Sequence, residues 1–268
     1  MLATKYSNGR SGITKSGNSR KNMMRAVESS LKRMGIEHID LYYLHIWDYT
    51  TPIDEIMRGL DDLVRSGKIL YAAISDAPVW EISRANMFAD LRGWTPFVGI
   101  QINYNLVQRT PERELLPMAR ALDLGVTVWS PLAGGVLSGR YGAASGQESP
   151  RRRSAADTPA AEIQVGDLVA EIARSHDVSG AQVALAWLRS RMQYGTMIPV
   201  LGARTRAQML DLLKCRDVTL EADELKRLND ATRIEMGFPH NLLGAESARN
   251  LVHGFEPDRL IQHRFRFD

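Results

Sequence analysis

In the segment Ile39-Asp40-Leu41-Tyr42-Tyr43-Leu44-His45-Ile46-Trp47-Asp48, a nearly continuous apolar run ends in a histidine and an aspartate. The run is too short to cross a membrane, and its pattern predicts a strand buried on both faces. In an α/β barrel the loops at the C-terminal ends of such strands carry the chemistry, and His45 falls at that end. A lone histidine beside an apolar run is more often a hydrogen-bonded core residue. The neighbouring segments must therefore distinguish a core role from a functional one.

The composition is that of an ordinary globular protein. With 268 residues, 44% hydrophobic and 24% charged, the chain can bury a full core, and we expect residues 1–268 to form a single domain. The net charge of +3 is slight, so no nucleic-acid partner is expected, although a basic groove for a phosphorylated small molecule is compatible with it. The single cysteine, Cys215, excludes an intrachain disulfide and shows no metal-ligand spacing. We expect no metal, no membrane association and a cytoplasmic location.

Strands and helices are predicted to alternate along the chain. Predicted strands end at Lys5, His45, Ser75, Gln101, Ser130 and about Pro199. Helical periodicity predicts helices over about residues 20–34, 51–67, 79–91, 111–124, 160–176, 179–191, 204–213 and 221–233. From Gly237 onward no periodicity is clear. The alternation indicates an α/β protein with parallel strands, but six strands fit a doubly wound sheet, whereas a closed barrel needs eight.

Six ordered motifs at the strand ends carry a family resemblance. They are Thr4-Lys5, Ile39-Asp40-Leu41-Tyr42 through His45, Ile74-Ser75-Asp76, Gln101-Ile102-Asn103-Tyr104-Asn105, Trp129-Ser130-Pro131-Leu132 with Gly134, Gly135 and Leu137, and Ile198-Pro199 through Gly202-Ala203-Arg204-Thr205 with Gln208. In this order they resemble the aldo-keto reductases, closest to the bacterial, aryl-alcohol-dehydrogenase-like branch. The resemblance spans essentially the whole chain. It implies an (α/β)8 TIM barrel, here with the first two βα units missing and about six strands left.

The resemblance also implies an NADPH site across the C-terminal face of the sheet. Lys5 and His45 match the family's catalytic lysine and histidine. The residues that match its nicotinamide contacts are Ser75, Asp76 and Gln101 for the carboxamide and Trp129 for the stacking ring. Those that match its phosphate and adenine contacts are Ser130, Leu132 and Gly134 at the pyrophosphate, Gly202 and Arg204 near the 2′-phosphate, and Gln208 at the adenine.

Two basic groups in the long loop after the fifth strand are further candidates. Arg140 and Arg153 are expected to contact phosphate. Arg153 belongs to a run of three arginines, residues 151–153, which has two interpretations. Such a run is usually a solvated face, and the alternative is a phosphate clamp.

One part of the family's site has no counterpart in this sequence. In the family a tyrosine donates the proton and an aspartate pairs with the lysine, both on a segment before the Thr-Lys strand. No Asp-x-x-x-x-Tyr segment precedes Lys5 here. Strand alternation puts Tyr6 on the face opposite Lys5, and Tyr43 on the face of His45 but one layer deeper. Tyr49, in the loop after His45, is the best local substitute.

These residues predict an NADPH-dependent aldo-keto reductase that converts aldehydes or ketones to alcohols by hydride transfer. We expect the chain to be an N-terminally truncated and impaired form of it, because loss of a general acid alone commonly costs ~10²–10⁴ in rate. The alternatives are a non-catalytic NADPH-binding regulatory protein and an inactive fragment. A barrel without two strands exposes two strand edges, so we also expect self-association or a distorted barrel.

Overall fold

The computed structural model describes residues 1–9, 12–138, 158–256 and 259. Within this part of the chain six strands form one sheet in the order β1 to β6, and every neighbouring pair is parallel. The strands are Ala3–Tyr6 (β1), Ile39–Leu44 (β2), Ile69–Ser75 (β3), Phe97–Asn103 (β4), Gly125–Trp129 (β5) and Met197–Pro199 (β6). The predicted α/β class and the six parallel strands are thus confirmed.

Helices follow the strands. They are Arg20–Met34 (α1), Ile53–Arg65 (α2), Val79–Arg92 (α3), Leu115–Ala121 (α4), Ala160–Ser175 (α5), Gly180–Arg189 (α6), Arg206–Leu213 (α7), Ala222–Ala231 (α8), His240–Leu243 (α9) and Glu246–Val252 (α10). The first helix shows why the boundaries could be predicted. Ser19 accepts a hydrogen bond from the Asn22 N–H at its start, and Gly35 takes a φ of 65° at its end.

One predicted helix has the wrong bounds, and two short helices were not predicted. The helix predicted over residues 111–124 is a 3-10 turn at Thr110–Glu112 followed by the short α4. Pro117 lacks an N–H and fits only the first turn of a helix, so α4 begins just before it. The tail after Gly237 contains α9 and α10, which are too short for helical periodicity to be recognised.

The helices cover the outer face of the sheet, and the main core lies between them. Tyr6 and Tyr42 stack there with ring centroids 5.4 Å apart, and the Tyr42 hydroxyl donates to the Met23 carbonyl oxygen over 3.4 Å. Both tyrosines are almost completely buried. Tyr6 therefore lies on the face opposite Lys5, as strand alternation predicts.

The inner face of the sheet is open. In the described residues β1 pairs only with β2 and β6 only with β5, so the sheet does not close into a barrel. By alternation Tyr71 and Ile198 point to this inner face, and they remain 52% and 54% exposed. The described residues therefore form a partial TIM barrel, in which β1 and β6 each have one unpaired edge. No helix in the described part of the chain is long and apolar enough to span a bilayer.

Candidate active site

The C-terminal edge of the sheet brings Lys5 and His45 together with residues of β3, β4 and β5. The Lys5 ammonium donates to Oε1 of Gln101 and lies 5.3 Å from the centroid of the Tyr43 ring. Burial lowers the pKa of Lys5, and the nearby carboxylate of Asp76 partly counteracts this effect. The structure thus places a half-buried cation on the inner face of the sheet, beside the residues expected to hold a cofactor.

A polar network below Lys5 includes one residue that the sequence analysis missed. Thr127 Oγ1 accepts from Nε2 of Gln101 over 3.0 Å and lies 3.1 Å from the Tyr43 hydroxyl. The missed signal was period-two alternation, since Thr127 lies two residues before Trp129 on the same face. Both polar atoms of Gln101 are engaged by Lys5 and Thr127. Gln101 is therefore less open to a ligand than the family resemblance implies.

His45 is held by its backbone and by its ring. Its N–H donates to the Tyr6 carbonyl oxygen over 3.0 Å and to Ser7 Oγ over 3.3 Å, and its Nδ1 lies 3.1 Å from Nδ2 of Asn8. Burial lowers the pKa of His45, the charge of Lys5 lowers it further, and Asp76 partly opposes both. Its imidazole is accordingly mainly neutral at pH 7.

Ser75, Asp76 and Trp129 form the next part of the site. Ser75 is 2% exposed, and its hydroxyl oxygen has no hydrogen-bond partner among the described residues. The Trp129 indole N–H donates to Oδ1 of Asp76 over 3.1 Å, which fixes the ring at the end of β5. Asp76 itself has a φ of 42°, an uncommon conformation for a residue other than glycine. A buried polar atom without a partner is the kind of group that a bound molecule satisfies.

The loop after β5 is built from left-handed backbone conformations. Ser130, Ala133, Gly134 and Gly135 have φ values of 54°, 50°, 69° and 108°, and Leu132 between them packs against the core. Left-handed conformations at non-glycine residues cost on the order of 1–3 kcal/mol and cluster at binding sites. Turns of this kind direct backbone N–H groups into concavities that bind anions. In this structure the N–H groups of Ala133 and Gly135 donate to the carbonyl oxygens of Ser130 and Leu132, and the role of the loop at a pyrophosphate stays a prediction.

The predicted adenosine end lies in the loop before α7. Gly202 and Arg204 precede that helix, and Thr205 caps it by accepting from the Gln208 N–H. Oε1 of Gln208 accepts from the Arg204 backbone N–H over 2.9 Å, so this side chain already shapes the loop. Arg140 and Arg153 lie outside the described residues.

The tyrosine candidates do not join the site in the way that a proton donor requires. Tyr49 is 75% exposed, and no hydrogen bond in the described residues joins its hydroxyl to Lys5 or His45. The Tyr43 hydroxyl is bonded to Thr127, and burial raises its pKa above the usual value although hydrogen bonds to Thr127 and Gln101 oppose this. The described residues also contain no group of three or more His, Cys, Asp or Glu that could hold a metal ion.

The fold defines an α/β protein of the partial TIM-barrel type, with its candidate functional residues at the C-terminal edge of the sheet. The aldo/keto reductase family model matches residues 1–233, and the chain belongs to that family. The family assignment that the six motifs predict is therefore confirmed.

The curated relatives include proteins named as aryl-alcohol dehydrogenases and as norsolorinic acid reductases. The chain is 33% identical over 248 residues to an aryl-alcohol dehydrogenase of Phanerodontia chrysosporium, named with NADP(+), covering 88% of this chain and 63% of the relative. It is 32% identical over 255 residues to norsolorinic acid reductase A of Aspergillus parasiticus, covering 91% of this chain and 63% of that relative. A putative aryl-alcohol dehydrogenase of Saccharomyces cerevisiae is 28% identical over 241 residues, covering 87% and 82%. The chain thus spans less than two thirds of the length of the first two relatives.

Proposed function

We propose that this chain binds NADPH along the C-terminal edge of its sheet, as part of an NADPH-dependent reductase that converts aldehydes or ketones to alcohols. Membership in the aldo/keto reductase family and the NADP(+) named for one relative support this proposal. The observation that carries it is the unpartnered hydroxyl of Ser75. That hydroxyl is buried next to the Asp76–Trp129 pair at the edge where a nicotinamide is expected.

The residues present fit such a cofactor. An amide group needs both donors and acceptors, which the Ser75 hydroxyl and the Asp76 carboxylate offer. The fixed ring of Trp129 offers an aromatic face, and the absence of side chains at Gly134 and Gly135 lets a phosphate approach the backbone closely. Arg204 is the candidate cation for the 2′-phosphate, which distinguishes NADPH from NADH. When bound, the cofactor would supply the hydride.

The protein's own residues would then act on the carbonyl oxygen. A neutral His45 presents an N–H that stabilises developing negative charge on that oxygen. Lys5, already desolvated, adds positive charge beside it and lowers the pKa of an acidic donor. No tyrosine hydroxyl in the described residues is hydrogen-bonded to either group. We therefore expect residues 1–268 to reduce carbonyl compounds slowly.

An NADPH titration of the purified chain, followed by tryptophan fluorescence, tests the binding step. We expect saturable binding that is tighter for NADPH than for NADH. Arg204→Ala should weaken NADPH binding about tenfold or more, because a charge-assisted contact to phosphate is lost, and should leave NADH binding unchanged. Arg33→Ala removes the same charge at the end of α1, near the opposite edge of the sheet, and serves as the matched control. Absence of saturable binding would overturn the proposal.

A second candidate function rests on the absence of a bonded tyrosine from the described site. In it, the chain binds NADPH without turnover and acts as a non-catalytic regulatory protein. Oxidation of NADPH in the presence of an aromatic aldehyde separates the two. Turnover that His45→Gln abolishes supports the reductase, whereas saturable NADPH binding with no turnover supports the non-catalytic protein.

A further inference from the structure

Three consecutive residues at the end of β1 hold His45. The Tyr6 carbonyl oxygen and the Ser7 hydroxyl both accept from the His45 backbone N–H, at 3.0 and 3.3 Å. Asn8 then places its Nδ2 at 3.1 Å from Nδ1 of the imidazole. The β1 terminus therefore controls both the position of the histidine backbone and one of its ring nitrogens.

The backbone is strained where it turns toward the histidine. Ser7 is 6% exposed and has a φ of 107°, which residues with a side chain rarely adopt. Its hydroxyl accepts from Nδ2 of the buried Asn18 over 2.8 Å, and the same Nδ2 donates to the Ile46 carbonyl oxygen over 2.9 Å. Strain that is held in place by such contacts is typical of functional sites. Here it directs the chain so that Asn8 reaches the ring.

Asn18 is itself fixed by the loop that follows His45. Oδ2 of Asp48 accepts from the Asn18 backbone N–H over 2.7 Å, and the Asp48 N–H donates to Oδ1 of Asn18 over 2.8 Å. These contacts join the loop after β1 to the loop after β2. These hydrogen bonds fix the backbone on both sides of the contact, at Ser7 and in the loop after His45, and the contact itself joins the exposed Asn8 side chain to the ring.

We propose that Asn8 is a positioning residue that holds His45 in the neutral tautomer with its proton on Nε2. The proposal rests on the proposed function, in which that Nε2–H meets the carbonyl oxygen. An amide nitrogen can only donate, so Nδ1 must be the acceptor and the remaining ring proton lies on Nε2. In a protonated imidazole the Nδ1–H of His45 would face the Nδ2–H of Asn8, and two donors cannot form a hydrogen bond. Asn8 thus favours the neutral ring in the same sense as burial and Lys5, and only Asp76 favours the charged ring.

The tautomer can be observed directly, without cofactor or substrate, by ¹⁵N NMR of the imidazoles. The His45 signals are assigned as those lost in His45→Gln. In the native chain we expect the shift of an unprotonated nitrogen at Nδ1 and of a protonated one at Nε2. An Nδ1–H in the native chain would mean that the amide oxygen faces the ring, and would overturn the proposal.

Asn8→Asp replaces the donor by an acceptor of nearly the same shape. We expect the ring proton to move to Nδ1 and the pKa of His45 to rise by about one unit or more, because a carboxylate stabilises the imidazolium. Gln193→Glu adds the same charge in the turn before β6, at the opposite edge of the sheet. This control variant should change neither the tautomer nor the pKa of His45. An unchanged tautomer in Asn8→Asp, or an equal change in Gln193→Glu, would contradict the assignment. Equal melting temperatures show that the variants fold alike.

The same samples titrated with NADPH separate this inference from the proposed function. Saturable NADPH binding together with an Nδ1–H in the native chain overturns only the role of Asn8. The expected tautomer without any NADPH binding overturns the proposed function, and with it the catalytic meaning of the contact. The expected tautomer with binding, and its reversal in Asn8→Asp, supports both.

Discussion

The indole N–H of Trp129 donates to the carboxylate of Asp76 over 3.1 Å and thereby joins the ends of β5 and β3 across β4. The contact fixes the plane of the ring at the edge where Lys5, His45 and Ser75 lie. An aromatic ring that is already oriented loses less conformational freedom when a flat molecule stacks on it. The Asp76–Trp129 pair is therefore a preformed element of the proposed NADPH site.

Removal of the indole N–H should weaken NADPH binding although the aromatic ring remains. Trp129→Phe loses the hydrogen bond that orients the ring, so ordering of the ring on binding should cost up to about 0.5–1.5 kcal/mol, which corresponds to roughly a 2- to 13-fold higher Kd. Trp129→Ala also loses the stacking surface and should cost more than tenfold in all. Calorimetric titration measures both. Equal Kd values for all three proteins would show that the ring does not contact the cofactor.

Ser75→Ala should separate binding from stability. The hydroxyl has no hydrogen-bond partner in the part of the chain that the structure describes, so its removal should leave the free energy of unfolding unchanged or slightly higher. NADPH binding should weaken about 3- to 10-fold, since one hydrogen bond to the carboxamide is lost. Urea unfolding and calorimetry are the two measurements, and Ser66→Ala, at the end of α2, is the control. A stability loss above about 1 kcal/mol would mean that the Ser75 hydroxyl is bonded within the chain.

The sequence was sufficient to predict the strands and most of the helices, because these depend on hydrophobic periodicity and on capping residues. Buried parallel strands appear as apolar runs, and residues such as Ser19 and Gly35 mark where a helix starts and stops. The polar residues that end the runs, Lys5 and Ser75 among them, were identified because the parallel order brings strand ends to one edge. Local signals of this kind can be interpreted without knowledge of long-range contacts.

Other features depend on contacts between distant residues and leave no local signal. The pairing of Asn8 with His45 depends on the backbone conformation of Ser7, which is not a glycine. The hydrogen bonds that engage Gln101 come from β1 and β5 and could not be deduced from β4 alone. Whether the sheet closes is likewise a property of the assembled strands, and periodicity within each strand does not show it.

The two unpaired strand edges lead us to propose that the chain self-associates. Ile198 lies on β6 and is 54% exposed, next to backbone groups that pair on one side only in the described sheet. Unpaired edges with apolar residues are templates for pairing with another chain, and a lysine there opposes it. In sedimentation velocity, Ile198→Lys should raise the protein concentration at which half of the oligomer is dissociated by about tenfold or more. Ile13→Lys, at a 91% exposed position in a 3-10 turn, should have no effect.

A monomer at all concentrations, with a single cooperative unfolding transition, would contradict self-association. An equal effect of Ile13→Lys would mean that added charge, and not the edge of β6, controls the assembly.

A buried ionic cluster beside the sheet should make stability depend on pH. Glu112 accepts from Nε of Arg109 at 2.8 Å and from the Tyr104 hydroxyl at 2.6 Å, and Arg191 lies 3.4 Å away. Both guanidinium groups also lie near the ring of Trp187, at 5.6 and 5.5 Å from its centroid. Burial raises the pKa of Glu112, but hydrogen bonds from Arg109 and Tyr104 and the charges of both arginines outweigh it. The pKa of Glu112 therefore lies below its usual value.

A lowered folded-state pKa means that Glu112 stabilises the fold fully above its unfolded pKa of about 4.3, and progressively less as pH falls through the folded-state value. Glu112→Gln leaves two buried arginines without their counter-charge, so the free energy of unfolding should drop about 3–5 kcal/mol at pH 7. Urea midpoints between pH 7 and 3 should fall less steeply in this variant than in the native chain. The exposed Glu37→Gln serves as control. Tyr104→Phe, which loses the hydrogen bonds of one hydroxyl to Glu112 and Arg191 but keeps the carboxylate, is the milder variant if Glu112→Gln does not fold. Native-like stability and an unchanged pH profile in Glu112→Gln would show that the carboxylate is not ionised in the folded protein.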